Sequence, residues 1–232
     1  AGSARYGALV WSGDIHSDFA TLRKQVCAGL NMGIAGIPWW TTDIGGFAGG
    51  DPKDEGFREL IVRWFQWGTF CPVMRLHGNR VPDERVFRKT GEELLPSGAD
   101  NEIWSFGDKA YDILKNLIDF RETMRPYVRA LMQEAHEDGA PVMRTMFFAF
   151  PEDEATWDLR DQYMFGPDVL VAPVLDAGAV QRAVYLPKGA QWTDLHTGKT
   201  YAGGQTLACD APLERIPVFL RDGSHPDWIG KI

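Results

Sequence analysis

The chain has 232 residues, with 24 Lys and Arg against 32 Asp and Glu, and a formal net charge of −8. At 44% apolar and 24% charged residues it has an ordinary globular composition, with enough core to fold without disulfides. The acidic balance argues against nucleic acid or an anionic membrane as partner, because both need clustered Lys and Arg, and no run of about 18 apolar residues is present to span a membrane.

In chain order, Tyr6–Trp11 is a short apolar run that ends in Ser-Gly-Asp. Asp18 can cap a helix to about Asn31, with Phe19, Leu22, Val26 and Leu30 on one face. Gly33–Trp40 is a second strand-like run, followed by a Thr- and Gly-rich loop to Gly56. Phe57–Phe70 reads as a helix, and Pro72–Leu76 as a third short strand before a long polar loop to about Asp100. Asn101–Asp138 has helical periodicity, with a break expected at Pro126 and a stop at Gly139. Strand, loop and helix repeated in this way predict parallel βα units.

The pattern changes after Gly139. Short runs at Val142–Phe148, Val169–Val174, Val184–Leu186, Gln191–Thr193, Thr206–Cys209 and Ile216–Leu220, punctuated by Gly and Pro, predict an antiparallel β module. The expected division is therefore 1–139 and 140–232. Three βα units leave open edges, and a closed (β/α)₈ barrel takes about 250 residues. Another chain must complete the sheet, or the chain is a piece of a longer enzyme. Its opening Ala-Gly-Ser carries neither an initiator Met nor a signal-peptide pattern, which favours the second expectation.

Cys27, Cys71 and Cys209 are too few and too scattered for a disulfide framework or a metal set, so reduced thiols, as in the cytoplasm, are expected. Parallel βα architectures place their chemistry at the C-terminal ends of strands. Those ends here carry Trp11-Ser12-Gly13-Asp14, Trp39-Trp40-Thr41-Thr42-Asp43 and Arg75-Leu76-His77. Aromatic faces beside carboxylate, imidazole and guanidinium groups suit a sugar, with its apolar face and ring of hydroxyls.

Asp14 is either a general acid, made less acidic by the ring of Trp11, or a structural aspartate that caps a helix or sits in a turn. Asp43 either bonds sugar hydroxyls or opens the Gly-rich loop as an Asx-turn. His77 is either structural or, with Arg75 beside it, a hydroxyl binder. Trp39 and Trp40 point to opposite faces of an extended backbone, so at most one meets a pocket. His16 with Asp14 and Asp18 has only a weak metal-like spacing.

At these positions the chain resembles the family-31 glycoside hydrolases, which include α-glucosidases and α-xylosidases. The matching motifs are Trp11-Ser12-Gly13-Asp14, Trp40-Thr41-Thr42-Asp43-Ile44-Gly45-Gly46-Phe47 and Arg75-Leu76-His77-Gly78. Further matches run through Met124–Tyr127, Pro141–Arg144, Gln162–Gly166, Val171–Val174 and Tyr185–Gly189. The resemblance implies an α/β plus all-β chain: the last three βα units of a TIM barrel (1–139), then an antiparallel, sandwich-like β domain (140–232). It implies retaining cleavage of terminal α-linked glucose or xylose, with Asp14 as acid/base and no cofactor. Trp11, Trp40, Asp43, Phe47, Arg75 and His77 would line the sugar subsite.

The family's nucleophile lies in an Asp-x-Asn-Glu-like run upstream of the acid/base, and no such run occurs in these 232 residues. The expectation is a C-terminal portion of such an enzyme, inactive alone and prone to self-association through its open barrel edge. The alternatives are a non-catalytic carbohydrate-binding or assembly module and, within the fold, an α-glucan lyase or α-transglycosidase.

Overall fold

The computed structural model describes residues 6–84, 89–92 and 97–232. Strand β1 (Val10–Trp11) leads to helix α1 (Phe19–Ile34), strand β2 (Trp40–Thr41) and helix α2 (Glu55–Thr69). Asp18 starts α1 by accepting the Thr21 N–H at 2.6 Å, and Asp54 starts α2 by accepting that of Phe57 at 2.7 Å. Each such cap is worth about 1 kcal/mol. Leu22, Val26 and Leu30 of α1 are buried, as their spacing predicts.

Two residues of helix α1 are glycines where its neighbours leave no room for a side chain. A Cβ on Gly29 would come within 2.8 Å of the Trp40 ring, and one on Gly33 within 2.9 Å of the Met143 carbonyl oxygen. Helix α2 is buried on nearly all sides from Leu60 to Thr69. Its buried Arg63 donates to the carbonyl oxygens of Ala179 (3.0 Å), Ala211 (2.8 Å), Pro212 (3.2 Å) and Arg215 (2.9 Å), and so ties α2 to the C-terminal half.

β1 and β2 run parallel, with Val10 opposite Trp40 and Trp11 opposite Thr41. Two expected strands are corrected. Gly33 and Ile34 continue α1, and Pro38, which has no N–H for a ladder, leaves only Trp40–Thr41 to pair. The Pro72–Leu76 run forms a single parallel bridge, Ile44 to Leu76, instead of a strand. The expected polar loop to Asp100 contains an antiparallel hairpin, β3 (Arg80–Glu84) with β4 (Ser97–Ala99). Residues 85–88 and 93–96 of that loop lie outside the described residues.

A 3₁₀ turn (Ile103–Phe106) leads into α3 (Asp108–Thr123) and α4 (Arg125–Asp138). The break falls at Met124, where Pro126 occupies the first turn of α4, and Gly139 ends α4 in a left-handed conformation (φ 71°). Both features were legible in the sequence.

The C-terminal half follows as β5 (Met143–Thr145), the short helix α5 (Met146–Ala149), β6 (Tyr163–Phe165), β7 (Val169–Val171) and β8 (Gln181–Leu186). It continues with β9 (Gln191–Asp194), β10 (Thr200–Ala202), β11 (Gln205–Asp210) and β12 (Val218–Arg221). Met146–Phe148, expected to be strand, is therefore helical, and β6 and β10 add strands to those expected. Six strands form one antiparallel sheet in the order β10-β9-β12-β7-β6-β5, and β8 pairs with β11 as a separate hairpin.

Both faces of the sheet are covered. Tyr163, Phe165, Val169, Val171, Val218 and Leu220 join the large core shared with α1, α2, α3 and α4. The alternate residues Met164, Leu170 and Phe219 join a second core with Val184, Leu186 and Trp192 under the hairpin. A period of two with both faces apolar explains why these strands read as continuous hydrophobic runs. The chain is thus a partial parallel barrel followed by an antiparallel β domain. No helix among the described residues is long and apolar enough to cross a membrane.

Candidate active site

The site is built where β1, β2 and the 75–77 segment end side by side. The Val10 N–H donates to the Trp39 carbonyl oxygen (3.1 Å) and the Ser12 N–H to that of Thr41 (3.2 Å). One residue further on, the Asp43 N–H donates to the Ser12 hydroxyl oxygen (3.4 Å), and the Ile44 N–H to the Arg75 carbonyl oxygen (3.1 Å). A second belt follows. The Phe47 and Ala48 N–H groups both donate to the Ile15 carbonyl oxygen (2.8 and 2.9 Å), and the Asn79 N–H donates to that of Phe47 (2.7 Å).

The three loops are thereby laced through their backbones. Gly46 makes this possible: its φ is 77°, and a Cβ there would stand 2.6 Å from the His16 carbonyl oxygen.

Arg80 holds the belt from beneath. It is fully buried, and its guanidinium donates to the carbonyl oxygens of Ile44 (3.2 Å), Gly46 (2.9 Å) and Gly49 (3.1 Å) and to the Ser17 hydroxyl (3.1 Å). Its Nε donates to the Asn101 Oδ1 (2.6 Å), and the guanidinium lies 4.8 Å from the centre of the Phe57 ring. Burial lowers its pKa to about 10. Sequence reasoning missed Arg80. The one available signal was the Gly-rich loop itself, whose carbonyls need donors once buried.

Asp14 is exposed and follows Gly13, whose φ of 74° suits glycine. The cap of α1 is Asp18, so Asp14 is not the helix cap its position allowed. Trp11 is 50% exposed, so the two stand open to solvent. His77 is exposed, with its ring 5.5 Å from that of Phe47 and tilted by 33°.

The Asp43 carboxylate pairs with the Arg75 guanidinium. Desolvation by burial raises the pKa of Asp43, and Asp14 adds to the rise, while Arg75, His77 and Arg80 oppose it. The structure therefore brings Asp14, Asp43, Arg75, His77 and Phe47 to one end of the parallel strands.

Two expectations change. Trp40 is only 2% exposed, with its ring 5.8 Å from that of Trp67 and against Gly29. Further polypeptide can only bury it more, so its ring is core packing and not a ligand face. Asp43 is 0% exposed and presents no surface to a ligand, whereas the side chain of Arg75 is 38% exposed. Among the described residues no group of three or more His, Cys, Asp or Glu is placed to hold a metal.

A barrel segment with an aromatic, a carboxylate, a guanidinium and an imidazole at its strand ends, followed by an antiparallel domain, is the architecture of a carbohydrate-active hydrolase class. Residues 1–131 match the glycosyl hydrolases family 31 TIM-barrel domain, and residues 139–224 match the glycosyl hydrolase family 31 C-terminal domain. The chain belongs to glycosyl hydrolase family 31.

It is 38% identical to an alpha-xylosidase of Saccharolobus solfataricus, over all of this chain and 29% of that protein. It is also 38% identical to alpha-glucosidase 2 of Bacillus thermoamyloliquefaciens, over 97% of this chain and 26% of that protein. Among solved structures, a family-31 alpha-xylosidase from a soil metagenome, complexed with xylose, is 59% identical with a TM-score of 0.93, over 98% of this chain and 34% of that one. The chain thus spans about a third or less of the length of these proteins.

Proposed function

We propose that this chain carries the acid/base half of a retaining α-glycosidase site, acting on terminal α-linked xylose or glucose. The observation that carries the reading is the convergence of exposed Asp14 with Arg75, His77 and Phe47 at the strand ends. Asp14 protonates the leaving glycosidic oxygen in the first step and deprotonates the attacking water in the second. Trp11 offers an apolar ring to the sugar face, and Arg75 and His77 offer donors to its hydroxyls.

The nucleophile is proposed to lie outside these 232 residues. Retaining enzymes hold their two carboxyls about 5–5.5 Å apart, close beneath the anomeric carbon. Asp43 cannot serve, since its carboxylate is sealed from solvent and paired with Arg75. The α-xylosidase with 59% identity weighs toward xylose.

The test is turnover of aryl α-xylosides and α-glucosides by the protein made from its full reading frame, with the first-formed anomer read by NMR. Early release of the α-sugar is expected. Release of the β-anomer, or of an unsaturated product from elimination, contradicts the reading. The 232-residue chain alone is expected to be inactive.

A further inference from the structure

Asp43 and Arg75 form an ion pair with very unequal exposure. The Asp43 side chain is 0% exposed and that of Arg75 is 38% exposed. Oδ1 of Asp43 accepts from Arg75 Nη1, and Oδ2 is buried without a hydrogen-bond partner, so neither oxygen is open to a ligand. Among the described residues, Asp43 is the one side chain that receives a hydrogen bond from the Arg75 guanidinium.

The same two segments are also joined through their backbones, because the Ile44 N–H donates to the Arg75 carbonyl oxygen at 3.1 Å. The direction of the guanidinium is therefore set at both its root and its tip.

We infer that Asp43 is a positioning residue that acts through Arg75, and that Arg75 is the member of the pair that meets a bound sugar. This rests on the glycosidase reading above. Arg75 and His77 flank Leu76, the residue that makes the single parallel bridge to Ile44, so where the backbone is extended at that bridge the two share a face. Phe47 lies against His77 on that face. The buried carboxylate behind Arg75 neutralises it and orients its remaining donors outward, toward hydroxyl oxygens. A guanidinium left without this partner keeps its charge but loses its direction, and a carboxylate left without Arg75 is an uncompensated buried charge.

A double-mutant cycle tests the inference in the protein made from its full reading frame. Asp43→Asn is expected to lower kcat/KM for the better aryl α-glycoside by about 10- to 100-fold in the wild-type background, and by less than about 2-fold on Arg75→Ala. An equal loss in both backgrounds overturns it, because Asp43 would then act independently of Arg75. Absence of turnover in the wild-type protein counts against the glycosidase reading instead.

The geometry is tested separately by arginine side-chain NMR on the 232-residue chain. A slowly exchanging Arg75 Nη1–H signal, from the proton donated to Asp43, is expected, and its loss is expected in Asp43→Asn. An Arg75 signal unchanged by Asp43→Asn overturns the inference whatever the activity. Should Asp43→Asn not fold, Asp43→Glu shifts the carboxylate by one methylene and is expected to perturb the same resonance.

Discussion

The Arg80 guanidinium donates to the Gly46 carbonyl oxygen at 2.9 Å, from a position with no exposed surface. This bond belongs to a fan of donations that holds the loop carrying Asp43 and Phe47. The loop bends on glycines with positive φ and leaves several carbonyls pointing inward. One five-donor side chain satisfies them where separate polar side chains would need more room.

Arg80→Met leaves those carbonyls buried and unpaired. The expected loss is about 3 kcal/mol or more by chemical denaturation, since each buried polar group left unpaired costs about 1–3 kcal/mol. A loss under about 1 kcal/mol would mean that the loop holds its shape without Arg80.

Trp40 separates packing from binding. Its ring lies between Gly29 and Trp67. Trp40→Ala is expected to cost about 3–5 kcal/mol, as for other buried aromatics. The KM of surviving folded enzyme should stay near that of the wild type. A raised KM with little loss of stability would restore Trp40 to the sugar subsite.

The buried carboxyl of Asp43 gives a pH signature. Its pKa is raised from 3.8, mainly by desolvation, so the folded state holds the proton more tightly than the unfolded state. The resulting stabilisation is fully present below the unfolded pKa and is lost as pH rises through the folded one. Asp43→Asn lacks this titration. Paired denaturation curves should therefore move in favour of the wild type, relative to Asp43→Asn, as pH falls from neutral into that window. A gap that is constant, or that widens in favour of the wild type as pH rises, contradicts the assignment.

Tyr6, Leu9 and Trp11 are exposed beside β1, whose one strand partner among the described residues is β2. Such an edge invites association. Light scattering on the 232-residue chain is expected to show oligomers that weaken in Leu9→Lys. A monodisperse monomer at every concentration would show that the edge is protected.

The fold was legible where one physical signal dominated. Asp18 and the spacing of Leu22, Val26 and Leu30 placed α1, and Pro126 with Gly139 framed α4. The alternation that buries Val169 and Val171 on one face and Leu170 on the other hid the strand period, but not the strand. Errors came where tertiary contacts decided. Gly33 reads as a strand opener, yet it serves α1 by letting the helix approach Met143. Met146–Phe148 are good strand residues that turn helical beside β5.

At the site, residue types at the strand ends singled out Asp14, Asp43, Arg75 and His77 as candidates, and the family resemblance added Phe47. Burial is not written in the sequence, so it offered no way to tell exposed Arg75 from sealed Asp43, or to find Arg80.

The most direct test of the central claim is Asp14→Ala in the protein made from its full reading frame, assayed with and without azide. A small anion can replace the missing base in the second step, while an activated aryl group departs without acid help. Turnover of poorly activated α-glycosides is predicted to fall by roughly 100- to 10,000-fold. With an activated aryl substrate, azide is predicted to restore turnover and yield the α-glycosyl azide. Undiminished turnover by Asp14→Ala would contradict its role as the acid/base.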